Sequence, residues 1–486
     1  MASKRDLTER SLRSGPMGRR DFLALLGAGA AGLMTGGLYA AGSNTRQRKP
    51  NIILILADDL GYGDLGCQGG RDIPTPHIDS LARNGVHFTN GYVSCPVCSP
   101  TRAGLMTGRY QQRFGHEFNP GPAAAAGPEF GLPLSQITIA DVMKRAGYRT
   151  GLVGKWHLGY LPQFHPLRRG FDEFFGFLGG AHSYVDATGD RQNLILRGTE
   201  PVDEKEYLTD AFTREAAAFI ERHHSEPFFL YLAYNAVHGP LQASQKYLDR
   251  FAGIADQRRR TYAAMLSAMD DGVGSVIRRL RERGLYRDTV VFFLSDNGGP
   301  PTANASSNGP LRAAKGTVFE GGIRVPLIIQ WPRRLRGGQT YDRPVVSLDL
   351  FPTAAAVAGG TVPRDRVMDG VNLMPHVTRE TLDPPHQTLF WRFGEQRAMR
   401  KGDWKLVHVG DTAPQLYDLA KDIGESTDLA TREPGVVRDL SAALADWESQ
   451  LEAPRWGRAG QPAPAGPRAR QRARARASRR LQRTTP

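Results

Sequence analysis

An α/β fold, with a large central mixed but mostly parallel sheet flanked by helices and a small C-terminal antiparallel sheet with its own helix, is predicted by three features of this chain. Several apolar runs are continuous rather than alternating, which marks strands buried on both faces. Helical stretches separate these runs, and strand, helix, strand order builds an α/β sandwich. Near Pro384 the pattern changes to short alternating segments, the signature of an antiparallel sheet.

In chain order, Asn51 to Ala57 is a β-branched apolar run ending at Asp58-Asp59, and Ile137 to Ala146 reads as a helix. Gly151 to Gly159 carries Lys155 and His157 on what reads as the end of an extended strand, where residues two apart share a face. Asp210 to His223 reads as a helix and Phe228 to Ala233 as a strand. From Gln257 to Arg283 the apolar residues Tyr262, Met265, Leu266, Met269 and Val273 recur at helical spacing and make a core-facing stripe. Thr289 to Leu294 is a second buried run, ending at Ser295-Asp296-Asn297-Gly298-Gly299. Leu327 to Trp331 is a further strand, and Val345 to Ala358 a helix. The antiparallel sheet comprises Thr388 to Phe393, Gln396 to Arg400, Trp404 to Val409 and Gln415 to Tyr417, followed by a helix from Gly435 to Leu451.

At 486 residues the chain is long enough for one large core and a smaller unit. Its net charge of +14 does not imply a nucleic-acid partner, because the segment from Arg458 onward supplies +9 and residues 1–50 supply +6, leaving about −1 for the body. Three cysteines are too few for a disulfide scaffold; Cys67 and Cys95 form a candidate pair.

The segment Cys98-Ser99-Pro100-Thr101-Arg102, continuing to Gly108, reads as a nucleophile at a loop-to-helix junction. Pro100 biases Ser99 away from the helical region, placing Cys98 just before the first turn, where unpaired N–H groups favour anions. Arg102, one turn on, projects its fork toward the same point and suits two oxygens of a sulfate or phosphate. Cys95-Pro96-Val97-Cys98 is also formally a C-x-x-C, which leaves a redox pair, half a metal site or a disulfide as alternative readings. The two buried runs end in Asp58, Asp59, Asp296 and Asn297, and the carboxyl ends of parallel strands are where an open sheet carries ligands. That all-oxygen set suits Ca²⁺ or Mg²⁺ rather than Zn²⁺.

Cys98-x-Pro100-x-Arg102 with Leu105, Thr107 and Gly108 resembles the signature of type I sulfatases, and from Lys49 to Leu451 the landmarks follow that family's order. The resemblance implies that Cys98 is oxidised by a formylglycine-generating enzyme to Cα-formylglycine. One hydroxyl of the aldehyde hydrate takes the sulfuryl group; the other loses its proton, re-forms the carbonyl and expels sulfate by C–O cleavage. It implies a divalent ion, usually calcium, held by Asp58, Asp59, Asp296, Asn297 and the modified Cys98. Lys155 is assigned to sulfate contact and His157 to the formylglycine hydroxyl. His238 matches the donor to the leaving-group oxygen, and Lys315 the second lysine. His182 and Ser183 fall where many relatives place substrate-pocket residues.

On this reading the chain comprises a signal segment over 1–42, a catalytic domain over 49–383, a C-terminal α+β subdomain over 384–452 and an Arg-rich disordered tail over 459–486. Gly18-Arg19-Arg20-Asp21-Phe22-Leu23, followed by a Gly/Ala-rich apolar run, resembles a twin-arginine export signal, with Ala40-Ala41-Gly42 offering cleavage and an uncleaved anchor as the alternative. The implied location is periplasmic or secreted, and the implied partners are the export machinery and a sulfated small molecule or glycan substrate. A phosphonate or phosphate ester hydrolase of the same superfamily is the competing enzyme. An unmodified, catalytically silent binder of sulfated glycans is the competing non-enzyme.

Overall fold

Strand β1 (Asn51–Ala57) is wholly buried and lies at the middle of the molecule, as its unbroken apolar run requires. The structure, a computed structural model, describes residues 48–121, 127 and 129–457; the signal segment and the Arg-rich tail expected from the sequence lie outside the described residues. The other strands of the large sheet are β2 (Val86–Phe88), β4 (Arg149–Lys155), β5 (Glu173–Phe177), β6 (Leu196–Arg197), β7 (Glu200–Pro201), β8 (Phe228–Ala233), β9 (Thr289–Ser295), β10 (Leu327–Gln330) and β11 (Gln339–Tyr341). They form one ten-stranded sheet in the order β11-β2-β10-β9-β1-β8-β4-β5-β6-β7. The middle is parallel, β9 to β1 to β8 to β4 to β5, while β10, β6 and β7 run antiparallel to their neighbours.

Alternation along β1 divides the core between two helical layers. Ile53 and Ile55 pack with residues of the helices Leu208–Arg222 and Gln257–Glu282, whereas Ile52, Leu54 and Leu56 pack with those of Cys98–Thr107, Ile139–Arg145 and Leu350–Ala358. A second sheet, β13 (Thr388–Phe393), β14 (Gln396–Lys401), β15 (Trp404–Val409) and β16 (Gln415–Asp418), is antiparallel throughout. With the helix Pro434–Ser449 it encloses a third apolar cluster. Trp391, Leu406 and Trp447 meet Tyr92, Val93 and Ile323 there, so this sheet packs on segments that flank the large one.

Two local expectations are corrected. The helix expected over Val345 to Ala358 begins at Leu350, because Val345–Val346 (β12) pair in parallel with Gly91–Tyr92 (β3), and Asp349 accepts the Val346 N–H. Helix Cys98–Thr107 includes Cys98 and Ser99, so Pro100 does not expel Ser99 from the helical region. Pro100 is the third helical residue, where a missing N–H costs nothing because the first four N–H groups have no intrahelical partner.

Two glycines set the spacing of the strands around the site. A Cβ at Gly154 (φ +114°) would lie 1.9 Å from Ala233 O on β8, and one at Gly176 (φ +154°) 1.9 Å from Gly154 O on β4. Both obstacles are backbone and cannot step aside. Gly154→Ala is expected to lower the unfolding free energy by roughly 2–4 kcal/mol, read from the urea midpoint; a change under about 0.5 kcal/mol would show that the strands tolerate the added carbon.

Candidate active site

Strand register assembles the site. Ala57 lies beside Ser295, so Asp58-Asp59 and Asp296-Asn297 leave the sheet together. Asp58 N–H donates to Ala236 O (3.0 Å) and Val237 N–H donates to Asp58 O (2.8 Å), which carries the β1–β8 pairing past the sheet and delivers His238. Gly154 lies beside Ala233, so Lys155 arrives next to the same cluster. The helix Cys98–Thr107 places Cys98 at its start, facing the acids.

Cys98 Sγ is 3.4 Å from Asp58 Oδ1, 3.9 Å from Asp59 Oδ1 and 3.3 Å from Lys315 Nζ. Lys155 Nζ donates to Asp58 Oδ2 at 2.6 Å, and Lys315 Nζ to both oxygens of Asp59 at 2.6 and 2.8 Å. His238 Nε2 lies 3.6 Å from Asp59 Oδ2. Asp58, Asp59, Asp296, Asn297, Arg102 and Lys155 are each at most 2% exposed, so these charges interact with little screening.

Arg102 departs from expectation. Its Nε and Nη2 donate to Asp296 Oδ2 at 3.0 and 2.8 Å and its Nη1 to Lys155 O at 3.0 Å, so the fork expected to grip a bound anion grips a carboxylate of the site itself. The physical reason is proximity of an ionisable partner: a fully buried guanidinium needs its donors filled within the protein. Lys155 and His157 also do not share an extended face. β4 ends at Lys155, and His157 has a left-handed φ of 58° that turns its ring into the cavity. The ring is fitted against Gly180, where a Cβ would sit 2.7 Å from His157 Nε2.

The electrostatic environment assigns protonation states. Burial would raise the Asp58 carboxyl, but Lys155, His238, Arg102 and Lys315 overcome it and hold the group far below the usual carboxylate range. Burial, then the charges of Lys155 and Arg102, keeps His157 neutral. Burial opposes a charge on Lys315, yet Asp59 and its neighbours keep it an ammonium. Burial, with Asp296, pushes the Cys98 thiol well above its ordinary value, so the encoded side chain is no thiolate at neutral pH. All three cysteines are free thiols, and Cys95 is absent from the Asp58, Asp59, Cys98 and His238 cluster, whose potential ligand atoms lie within 4.8 Å of one another. In this structure the C-x-x-C forms no disulfide, and Cys95 contributes no ligand atom to that cluster.

The residues fit a hard divalent cation. Asn297 Oδ1 is buried without a hydrogen-bond partner, on an amide whose Nδ2 donates to Asp59 Oδ1 at 2.8 Å. With the neighbouring carboxylates it completes an all-oxygen donor set.

Above this floor a cavity of about 370 Å³ opens, lined by Cys98, His157 and His238 and by Tyr160, Asp190 and Gln192 among others. His182 and Ser183 do not line it. His182 packs on Phe177, its Nδ1 2.7 Å from Ser183 O, and Ser183 Oγ donates to Gln242 Oε1 at 3.0 Å; their neighbours Gly180 and Ala181 face the cavity instead. Reading the sequence missed His116. Its Nε2 is 2.7 Å from Ser99 Oγ, which donates to His157 O at 2.6 Å, so it braces the Cys98 helix against the His157 turn. Its ring also packs edge-on against Trp456, far along the chain, and no local motif announces it.

A parallel sheet whose strand ends gather carboxylates, lysines and histidines beneath a polar cavity defines an enzyme acting on anionic esters. The sulfatase family profile matches residues 50–360, and the N-sulphoglucosamine sulphohydrolase C-terminal profile matches 313–450. N-acetylgalactosamine-6-sulfatase of Mus musculus is 37% identical over 391 residues, covering 76% of this chain and 73% of the relative. Arylsulfatase A of Homo sapiens is 35% identical over 459 residues, covering 82% and 86%. The crystal structure of Ps i-CgsB, also solved in complex with k-i-k-neocarrahexaose, superposes with a TM-score of 0.80 at 38% identity over 84% of this chain and 95% of that one. This chain belongs to the sulfatase family; it is a type I sulfatase, a sulfuric ester hydrolase.

Burial pushes His116 down to about 3, whereas in the unfolded chain it titrates near about 6.5. A base held below its unfolded value gives full stability above about pH 6.5. That stability is lost on acidification toward about pH 3, at about 1.4 kcal/mol per pH unit, because only the unfolded chain takes the proton. His116→Gln is expected to flatten the fall in unfolding free energy between about pH 6.5 and 4.5; an unchanged slope in urea titrations would remove His116 from this role.

Proposed function

We propose that the enzyme hydrolyses carbohydrate sulfate monoesters with a formylglycine derived from Cys98, aided by a calcium ion. The observation that carries this reading is the position of Cys98 Sγ in the cavity lining, within 3.9 Å of two aspartates and a lysine. A buried, protonated thiol is a poor nucleophile, so the side chain needs the oxygen chemistry that an aldehyde hydrate supplies. Asp58, Asp59, Asp296 and Asn297 would hold the cation, which supplies Lewis-acid stabilisation of sulfuryl oxygens. Lys155 and Lys315 offset the negative charge of the bound sulfuryl group and of the growing charge at sulfur. His157, neutral and buried, takes the proton of the hydroxyl that re-forms the carbonyl as sulfate is expelled, and His238, partly exposed, gives one to the departing alcohol. Arg102 acts by fixing Asp296.

A polar wall with Asp190 and Gln192 suits sugar hydroxyls, and the sulfated-sugar name of the mouse relative and the carrahexaose complex of Ps i-CgsB agree with a glycan. The Arg19-Arg20 segment supports twin-arginine export to the periplasm or medium after modification by a formylglycine-generating enzyme.

The mass of the Cys98 peptide after co-expression with that enzyme is expected to show aldehyde in place of thiol; an intact thiol in fully active protein would overturn the assignment. p-Nitrophenyl sulfate is expected to outpace p-nitrophenyl phosphate, and the reverse order would make the protein a phosphoester hydrolase. Cys98→Ala is expected to remove about three orders of magnitude in turnover or more. His238→Ala is expected to slow alkyl sulfates by about 10²-fold and aryl sulfates, whose leaving groups need less protonation, by much less. Equal losses would exclude His238 as the leaving-group acid. Chelation is expected to lower both turnover and the unfolding temperature, and added calcium to restore both.

A further inference from the structure

We propose that Gln396, on the small C-terminal sheet, is a positioning residue for Lys315 and so makes that sheet part of the catalytic apparatus. The inference rests on the reading that Lys315 contacts the sulfuryl group.

Lys315 sits on a segment whose backbone enters the left-handed region on both sides of it, at Ala313 (φ 62°) and Gly316 (φ 85°). For Ala313, which has a Cβ, such a conformation is strained and persists only where surrounding contacts impose it. The large domain supplies some of these: Gly316 N–H donates to Pro96 O at 2.9 Å, and Asn308 Nδ2 to Ala313 O at 3.1 Å. Lys315 N–H also donates to Gly299 O at 3.4 Å, and further contacts come from the C-terminal subdomain.

Gln396 begins β14 and meets the segment with both ends of its amide. Its Nε2 donates to Gly316 O at 2.8 Å, and its Oε1 accepts from Val318 N–H at 3.3 Å. These bonds have opposite polarity and engage the chain immediately after Lys315, so neither an apolar side chain nor a carboxylate reproduces them. On either side the segment is tied to the same subdomain. Arg312 Nη1 donates to Tyr417 Oη at 2.8 Å and to Glu425 O at 2.7 Å. Glu320 N–H donates to Glu425 Oε2 at 2.7 Å, and the buried Lys405 ammonium lies 2.8 Å from carboxylate oxygens of both Glu320 and Glu425. Anchors at 312 and 320 hold the ends of the segment; Gln396 holds its middle, next to the lysine. A lysine side chain has many rotamers, so its reach to Asp59 and Cys98 depends on where this backbone is fixed.

The test is a double-mutant cycle on kcat/KM for p-nitrophenyl sulfate, using full-length protein co-expressed with a formylglycine-generating enzyme and normalised to the aldehyde content of the Cys98 peptide. Gln396→Ala is expected to lower kcat/KM about 10-fold in the otherwise native enzyme and less than about 2-fold when Lys315 is already alanine. The same 10-fold loss in both backgrounds would overturn the proposal, because a generally loosened fold acts whether or not Lys315 is present. Gln396→Glu, near-isosteric, keeps the acceptor for Val318 N–H and loses the donor to Gly316 O. It is expected to show the same background-dependent loss with an unfolding temperature close to that of the native protein; full activity in Gln396→Glu would also overturn the proposal. A Lys315→Ala enzyme with native kcat/KM would instead refute the role of Lys315 itself, an outcome read from the single variant alone.

Discussion

Burying several carboxylates side by side at the end of a parallel sheet is the constraint on which the rest of this molecule turns. Register between β1 and β9 makes Asp58, Asp59 and Asp296 neighbours whether or not that is favourable, and none has access to water. Such a group of like charges persists only if cations are brought in from elsewhere, and three elements do so: Arg102 from a helix, Lys155 from β4 and Lys315 from a loop braced by the second sheet. Each cation fixes a different carboxylate. The fold can thus be described as a means of delivering three positive side chains to one place. The stability such pairs contribute is small against the desolvation they require, so their value lies in the field they create at the cavity floor.

Much of this was legible in the amino-acid order. Asp58-Asp59 and Asp296-Asn297 stand out because each follows an apolar run too continuous for a one-sided strand, and parallel strands of equal depth end at the same level. The antiparallel sheet was equally plain, since its alternating segments are joined by short turns containing Gly394 and Gly402, both in the left-handed region. The roles of Lys155, His157, His238 and Lys315 came from family resemblance, because three separate strand ends bring them to the site: Lys155 and His157 after β4, His238 after β8 and Lys315 after β9.

What escaped was whatever depends on contact between distant segments. The direction of the Arg102 fork is decided by Asp296, nearly two hundred residues away. The start of the Cys98 helix is decided by how little a proline costs in a first turn, which local preference overstated. Val345 and Val346 leave the helical pattern because Gly91 and Tyr92 offer them a partner strand. His116 and Gln396 are ordinary polar residues by composition, and only the Ser99 hydroxyl and the Gly316 peptide give them meaning.

The burial of Cys98 has a temporal consequence. With 1% of its surface accessible, in the lining of a cavity, this sulfur admits small solutes from above but no protein-sized reagent. The helix that carries it is held in place by its own side chains, Ser99 Oγ donating to His157 O and Arg102 Nε to Asp296 Oδ2. The modification proposed for Cys98, if carried out by another enzyme, therefore has to precede closure of this domain.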